Sequence, residues 1–135
     1  MGQDDTKHNL LFISKYPEII HEFTDAMKDR DIEIETAING IEAAAKINKK
    51  NYDVVITGLS LEGYNGEQII TYLNKTAPST VCIIYTTTIS SAQLHFFINE
   101  RNVFRVFLRP VDFRGAFWEA LEEAYEYHAV QVKNE

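Results

Sequence analysis

Five short apolar runs, each followed by a stretch of helical periodicity, constrain this chain more than any other feature. They are Asn9-Leu-Leu-Phe-Ile-Ser14, Ile32-Glu-Ile-Glu-Thr-Ala37, Asp53-Val-Val-Ile-Thr57, Val81-Cys-Ile-Ile-Tyr85 and Phe104-Arg-Val-Phe-Leu108. The first, third and fourth are almost continuously apolar, the pattern of strands buried on both faces. The second alternates apolar and charged residues, as an edge strand with one wet face does. Strands separated by single helices pair in parallel through right-handed crossovers. The expectation is an α/β, flavodoxin-like (βα)5 three-layer sandwich with a parallel five-stranded sheet in the order 2-1-3-4-5. That order leaves the alternating second strand at an edge.

The intervening segments supply the helices. Pro17 suits a first helical turn, and Ile19, Ile20, Phe23 and Met27 form an apolar face. Asn39-Gly40 turns into a helix carrying Ile41, Ala44, Ala45 and Ile47. Asn65-Gly66 is a turn signal before a helix with Ile69, Ile70 and Leu73. Ser90 or Ser91 can cap a helix holding Ala92, Leu94, Phe97 and Ile98. Asp112 is expected to cap a long last helix, with Phe113, Phe117, Leu121, Ala124, Tyr125 and His128 on one stripe. One domain over 9–130 is expected, with tail segments at 1–8 and 131–135.

Composition narrows the function classes. At 135 residues and 45% hydrophobic, the chain can bury a core and is not disordered. No run approaches the ~20 apolar residues of a membrane span. The polar segment before the first strand, with Asp4 and Asp5, is no secretory signal. The single cysteine, Cys82, lies in an apolar run, and a cytoplasmic setting is expected. A net charge of −7 argues against nucleic acid as a partner. The cluster Lys46, Lys49 and Lys50 reads as solvated charge matched to a helix end.

Open parallel sheets keep their chemistry at the carboxyl ends of the strands. Those tips offer Ser14-Lys15, Thr57-Gly58, Thr86-Thr87 and Arg109-Pro110: two cations and no carboxylate. Neither a divalent metal nor a cofactor is expected there, and the pattern points to recognition rather than catalysis.

The segments 10–18, 34–40, 52–66 and 98–110 resemble, in order and spacing, the receiver domain of two-component response regulators. The last is similar to the fifth-strand region of receivers often joined to cyclic-dinucleotide phosphodiesterase domains. The resemblance covers about 9–128. It implies the flavodoxin-like fold and phosphoryl transfer from a histidine kinase onto an aspartate at the end of the third strand. It also implies an acidic pair for a divalent cation, a hydroxyl after the fourth strand and a lysine before a proline after the fifth.

This chain departs at nearly every such place. The acidic pair falls on Ser14 and Lys15, and the phosphoacceptor on Gly58. The lysine falls on Arg109, followed by Pro110, and the switch aromatic on Val106. Thr86 alone matches. A hydroxyl and an ammonium cannot replace two hard anionic ligands for magnesium. The resemblance therefore implies the fold and denies the reaction. The expected function is that of an atypical, phosphorylation-independent receiver that acts on a protein partner or output domain.

Alternatives remain. Asp53 starts the third strand, about 16 Å from Gly58, and is expected to make local hydrogen bonds. Glu62 pairs with Lys15 or Arg109, or is a solvated loop residue. Lys15 and Arg109 form an anion or nucleotide site, or Lys15 extends into water. Ser60 or another hydroxyl is a weaker phosphorylation site. A flavin reading fails because the loop 14–17 is too short and lacks glycine. His8, His21, His95 and His128 lie away from the tips and read as surface or helix-face residues. The implied output face gathers the fourth helix, fifth strand and last helix. Phe96, Phe104, Trp118 and Tyr125 there are candidate interface residues, for a partner or a homodimer, or else peripheral core.

Overall fold

The computed structural model describes residues 8–133, and it has the expected architecture. The elements are β1 (His8–Ile13), α1 (Pro17–Ala26), β2 (Ile32–Ala37), α2 (Gly40–Lys49) and β3 (Val54–Thr57). They continue with α3 (Gly66–Thr76), β4 (Val81–Thr86), α4 (Ser91–Ile98), β5 (Val103–Leu108) and α5 (Ala116–Lys133). The five parallel strands lie in the order β2-β1-β3-β4-β5.

Alternation along the strands sends side chains to the two faces, and each face is covered by helices. Leu10, Phe12, Val54, Ile56, Ile83 and Tyr85 point to the side closed by Phe23 of α1 and Phe117, Leu121 and Ala124 of α5. Leu11, Ile13, Val55, Cys82 and Ile84 point to the side closed by Ala43, Ile69, Ile70, Leu73 and Phe97. β3 and β4 are buried throughout, whereas β2 and β5, at the edges, are only partly covered. Cys82 is fully buried, and desolvation pushes its thiol up to about 12.

Helix starts follow the local chemistry. Asn65 and Ser90 each form a capping box, with Gln68 and Gln93 returning a bond to the cap. The Asn65-Gly66 pair is therefore a helix cap and first residue rather than a turn. Asn39 caps α2 by accepting from the Glu42 amide at 2.8 Å.

Several expectations need correction. β1 starts at His8 and ends at Ile13, which leaves Ser14 in the loop, and Asp53 precedes β3. α5 continues through Lys133, so 131–133 are helix rather than tail; the expected tails at 1–7 and 134–135 lie outside the described residues. Asp112 does not cap α5. Its Oδ1 accepts from the Arg114 amide at 2.9 Å and its carbonyl from Gly115 at 3.1 Å, closing a separate turn before the helix begins. The inward face of α2 is Gly40, Ala43 and part of Ile47, while Ile41 is 57% exposed. In α4 only Phe97 is buried, and Leu94 and Ile98 face outward. The lysines at the end of α2 are not merely solvated: Lys50 reaches Glu35 at 2.8 Å and Glu33 at 3.3 Å, and Lys46 donates to the Thr36 carbonyl. They bind α2 to the edge strand, and the Lys50 ammonium holds the Glu35 carboxyl below its ordinary value.

Candidate functional site

The strand tips converge as expected. The Gly58 amide donates to the Ile13 carbonyl at 3.0 Å and the Arg109 amide to the Thr86 carbonyl at 2.7 Å. The backbone thus draws the β1, β3, β4 and β5 tips together. Ser14, Lys15, Gly58, Ser60, Thr86 and Arg109 line a cleft of only about 40 Å3 between them. That is room for a few waters.

Ser14, Lys15, Ser60, Thr86 and Arg109 are each engaged within the chain. Ser14 is buried, and its hydroxyl accepts from the Tyr16 amide at 3.2 Å. The Lys15 ammonium donates to Ser60 Oγ at 3.3 Å and lies 5.3 Å from the centre of the Tyr16 ring. The Arg109 guanidinium lies over the same ring at 4.8 Å and over Tyr85 at 5.9 Å. The Thr86 hydroxyl donates to the Thr88 carbonyl at 3.1 Å. Burial pushes the Tyr85 hydroxyl above its usual range, against the opposing pull of Arg109.

Tyr16 escaped the sequence reading. It occupies the N-cap position of α1 but makes no side-chain cap. It serves instead as the aromatic plate against which both cations rest. The only signal was its place in Lys15-Tyr16-Pro17, an aromatic between a lysine and a helix start.

Other expected residues fall elsewhere. Glu62 is exposed and pairs with neither cation among the described residues; its carbonyl accepts from the Gly40 amide at 2.8 Å. Val106 is half-buried and packs on the α3 side of the sheet. Phe96 and Trp118 are half-buried, and Arg30 covers the Trp118 ring at 4.1 Å. Phe104 stacks on Tyr127 at 5.4 Å. Tyr125 is buried, so it offers no surface in this fold; its hydroxyl donates to the Asn9 carbonyl at 2.8 Å. His128 is not a surface residue either: its side chain is 17% exposed and faces Asp53.

The donor set does not suit magnesium. Ser14, Lys15 and Gly58 bring no carboxylate to the cleft, and Lys15 brings a positive charge. Among the described residues, no three of His, Cys, Asp and Glu are grouped to hold a metal ion.

The model of the response regulator receiver domain family matches residues 11–115. The chain belongs to this family. Receiver domains are generally non-enzymatic signalling modules of two-component systems, and they work through output domains or protein partners. This receiver is 25% identical over 121 residues to the transcriptional regulatory protein GlrR of Escherichia coli K12, a match that covers 90% of the chain and 27% of GlrR. It therefore spans about a quarter of the length of the curated relatives it matches. Among solved structures it is similar to the signal receiver domain of an HD domain-containing protein from Pseudomonas fluorescens Pf-5. That match has a TM-score of 0.86 at 19% identity and covers 92% of this chain and 98% of the other. It is also similar to TrrA of Thermotoga maritima, solved with Mg2+ and BeF, with a TM-score of 0.73 at 21% identity, over 87% and 98% of the two chains. These likenesses establish the fold. Among the described residues, no helix is long and apolar enough to cross a membrane.

Proposed function

We propose that this receiver signals without phosphorylation at the tip of its third strand and works through protein contacts made by α4, β5 and α5. The observation that carries the reading is the cleft itself. Gly58 has no side chain to accept a phosphoryl group, and Lys15 and Arg109 rest on Tyr16 where an acidic pocket would be open. The exposed apolar side chains Leu94, Ile98 and Leu108 favour the output face as the contact surface, at 43%, 72% and 51% exposure. The partner is an output domain or a separate cytoplasmic protein, and a second copy of the chain is the other arrangement that suits this face. A size measurement in solution separates them.

The test is an amide NMR titration with magnesium and beryllofluoride, a mimic of the phosphoryl group. No saturable shifts are expected at Gly58, Thr86 or Lys15, and their appearance would overturn the reading. Shifts at Lys15 and Arg109 on adding inorganic phosphate without magnesium would replace it with an anion-binding module. Transfer of a phosphoryl group from acetyl phosphate to Ser60, read by peptide mass, would replace it with a non-standard acceptor.

The cleft could hold an acceptor sterically. A Cβ added at Gly58 would meet the Tyr85 carbonyl at 3.6 Å and that of Ile13 at 3.9 Å, both ordinary contacts. Gly58→Asp is therefore expected to fold with a stability within about 1 kcal/mol of the parent. It is still expected to bind no beryllofluoride, because Ser14 and Lys15 remain. Denaturant midpoints and the same titration check both halves of this expectation.

A further inference from the structure

At the opposite end of the sheet, the last helix is fastened by one imidazole with two acceptors. His128, near the end of α5, has Nε2 3.1 Å from Asp53 Oδ1 and Nδ1 2.8 Å from the Ser79 carbonyl oxygen. A neutral imidazole carries a single N–H, so it can satisfy one of these oxygens and must turn a lone pair on the other. An imidazolium donates to both. The carboxylate is itself fixed in place. Its Oδ2 accepts from the Asn9 amide at 3.3 Å, and the Asp53 amide donates to Asn9 Oδ1 at 2.6 Å. His128 thus joins three separate segments: α5, the entry to β3 and the turn between α3 and β4.

We propose that His128 is a proton-operated clip: as an imidazolium it holds the end of α5 against the amino edge of the sheet, and on losing its proton it lets that end loosen. α5 is the last described element and one of the three that make the proposed output face, so the clip makes the helix's docking depend on pH. This inference does not rest on the silence of the strand-tip cleft.

The surrounding charges set its working range. His8 on β1 lies 3.9 Å from Asp53 Oδ2 and stacks on Tyr125 at 4.1 Å, so it competes for the same carboxylate. A cavity of about 600 Å3 borders His8 and Tyr125; Asp29 and Asp31 face it from the α1–β2 turn, and Glu122 and Glu126 from α5. These four acids favour a nearby cation, while Arg30 beside them and Arg101 near Ser79 oppose it. Burial would raise the Asp53 carboxyl, but the bond and charge of His128 outweigh it and hold the group below its ordinary value. Near neutrality Asp53 is therefore ionised, and the ring is the titrating member.

The sign follows by linkage. Two acceptors keep the proton on His128 in the folded chain, and they are lost on unfolding. The clip's contribution is complete below the value of an unfolded histidine, about 6.5, and disappears as pH rises through that of the folded ring. At the acid end, the Asp53 contribution is lost as pH falls through its lowered folded value.

The experiment follows ring nitrogens by long-range 1H–15N correlation in the full chain, from pH 5 to 9, with His128→Gln to assign the signal. At pH 7 both His128 nitrogens should be protonated. Amide exchange over 125–133, corrected for its intrinsic pH dependence, should be about tenfold faster at pH 9 than at pH 6, the scale of one charge-assisted hydrogen bond. His128→Gln should remove that difference, and Asp53→Asn should lower the pH at which the ring titrates. A His128 ring that titrates at or below about 6.5, the value of an unfolded histidine, would overturn the proposal. So would a corrected exchange rate that does not change with pH, or a titration indifferent to Asp53→Asn. The ring measurement on the unsubstituted protein needs neither variant to fold.

Discussion

Replacing Gly40 with alanine is expected to destabilise the domain by about 3 kcal/mol or more, the upper range for forcing atoms into a packed site. A Cβ at this position would lie 1.9 Å from the Tyr64 carbonyl oxygen and 2.5 Å from the Tyr64 amide nitrogen. Those are backbone atoms, so no side chain can swing aside to make room. Either α2 retreats from the sheet or the loop joining β3 to α3 lifts. The loop is tied at both ends: the Gly40 amide donates to Glu62, and the Gly66 amide to the Leu59 carbonyl at 2.9 Å. Displacing it moves Gly58 and Leu59, which form one wall of the strand-tip cleft. Denaturant unfolding should show the loss of stability, and amide shifts in the variant should extend from Tyr64 back to Gly58. A midpoint unchanged from the parent would mean that the chain relaxes here with an ease the packing does not suggest.

Phe117→Ala is expected to cost about 3–5 kcal/mol, the range for removing a fully buried aromatic ring. Phe117 is completely buried and ties α5 to the rest of its face. Its ring centre lies 4.9 Å from Phe107, 5.1 Å from Phe113, 5.8 Å from Tyr85 and 6.1 Å from Phe23. Those rings come from β5, the turn before α5, β4 and α1, so one deletion opens contacts to four segments. A domain of this size should lose roughly 10–20 °C in Tm. Phe96→Ala, at a half-buried position on the other face, should cost clearly less. Near-equal losses for the two would show that the α5 face is not the better-packed half of the core.

The sheet was legible because its signal is local and repeated. Apolar runs of about five residues, one of them alternating, led to five parallel strands and to the identity of one edge. The cap at Ser90 was legible for the same reason, since a cap bonds to an amide three residues on. What escaped was set by geometry across the chain. The face that α2 turns to the core depends on how closely Gly40 approaches Tyr64, a contact that periodicity does not encode. Asp112 looks like a helix cap, yet its side chain serves a turn that ends before α5 begins. Lys50 finds its acids fifteen and seventeen residues earlier, on the neighbouring strand. At the strand tips, the identities of Ser14, Lys15, Gly58 and Arg109 were plain in the sequence, but the part played by Tyr16 was not. A ring that two cations share is a property of two loops meeting, the one after β1 and the one after β5. The pairing of Asp53 with His128 is likewise invisible until α5 is laid across the amino edge.

The two cations resting on Tyr16 have a consequence for supply. A pocket lined with acids must collect its positive charge from solution, and its occupancy then varies with the concentration of the free ion. Lys15 and Arg109 are attached through the backbone, so their local concentration is fixed by the fold and neither can be removed by a chelator. On the function proposed above, the arrangement of loops they favour should therefore not vary with magnesium, and the state of such a cleft would be written at translation.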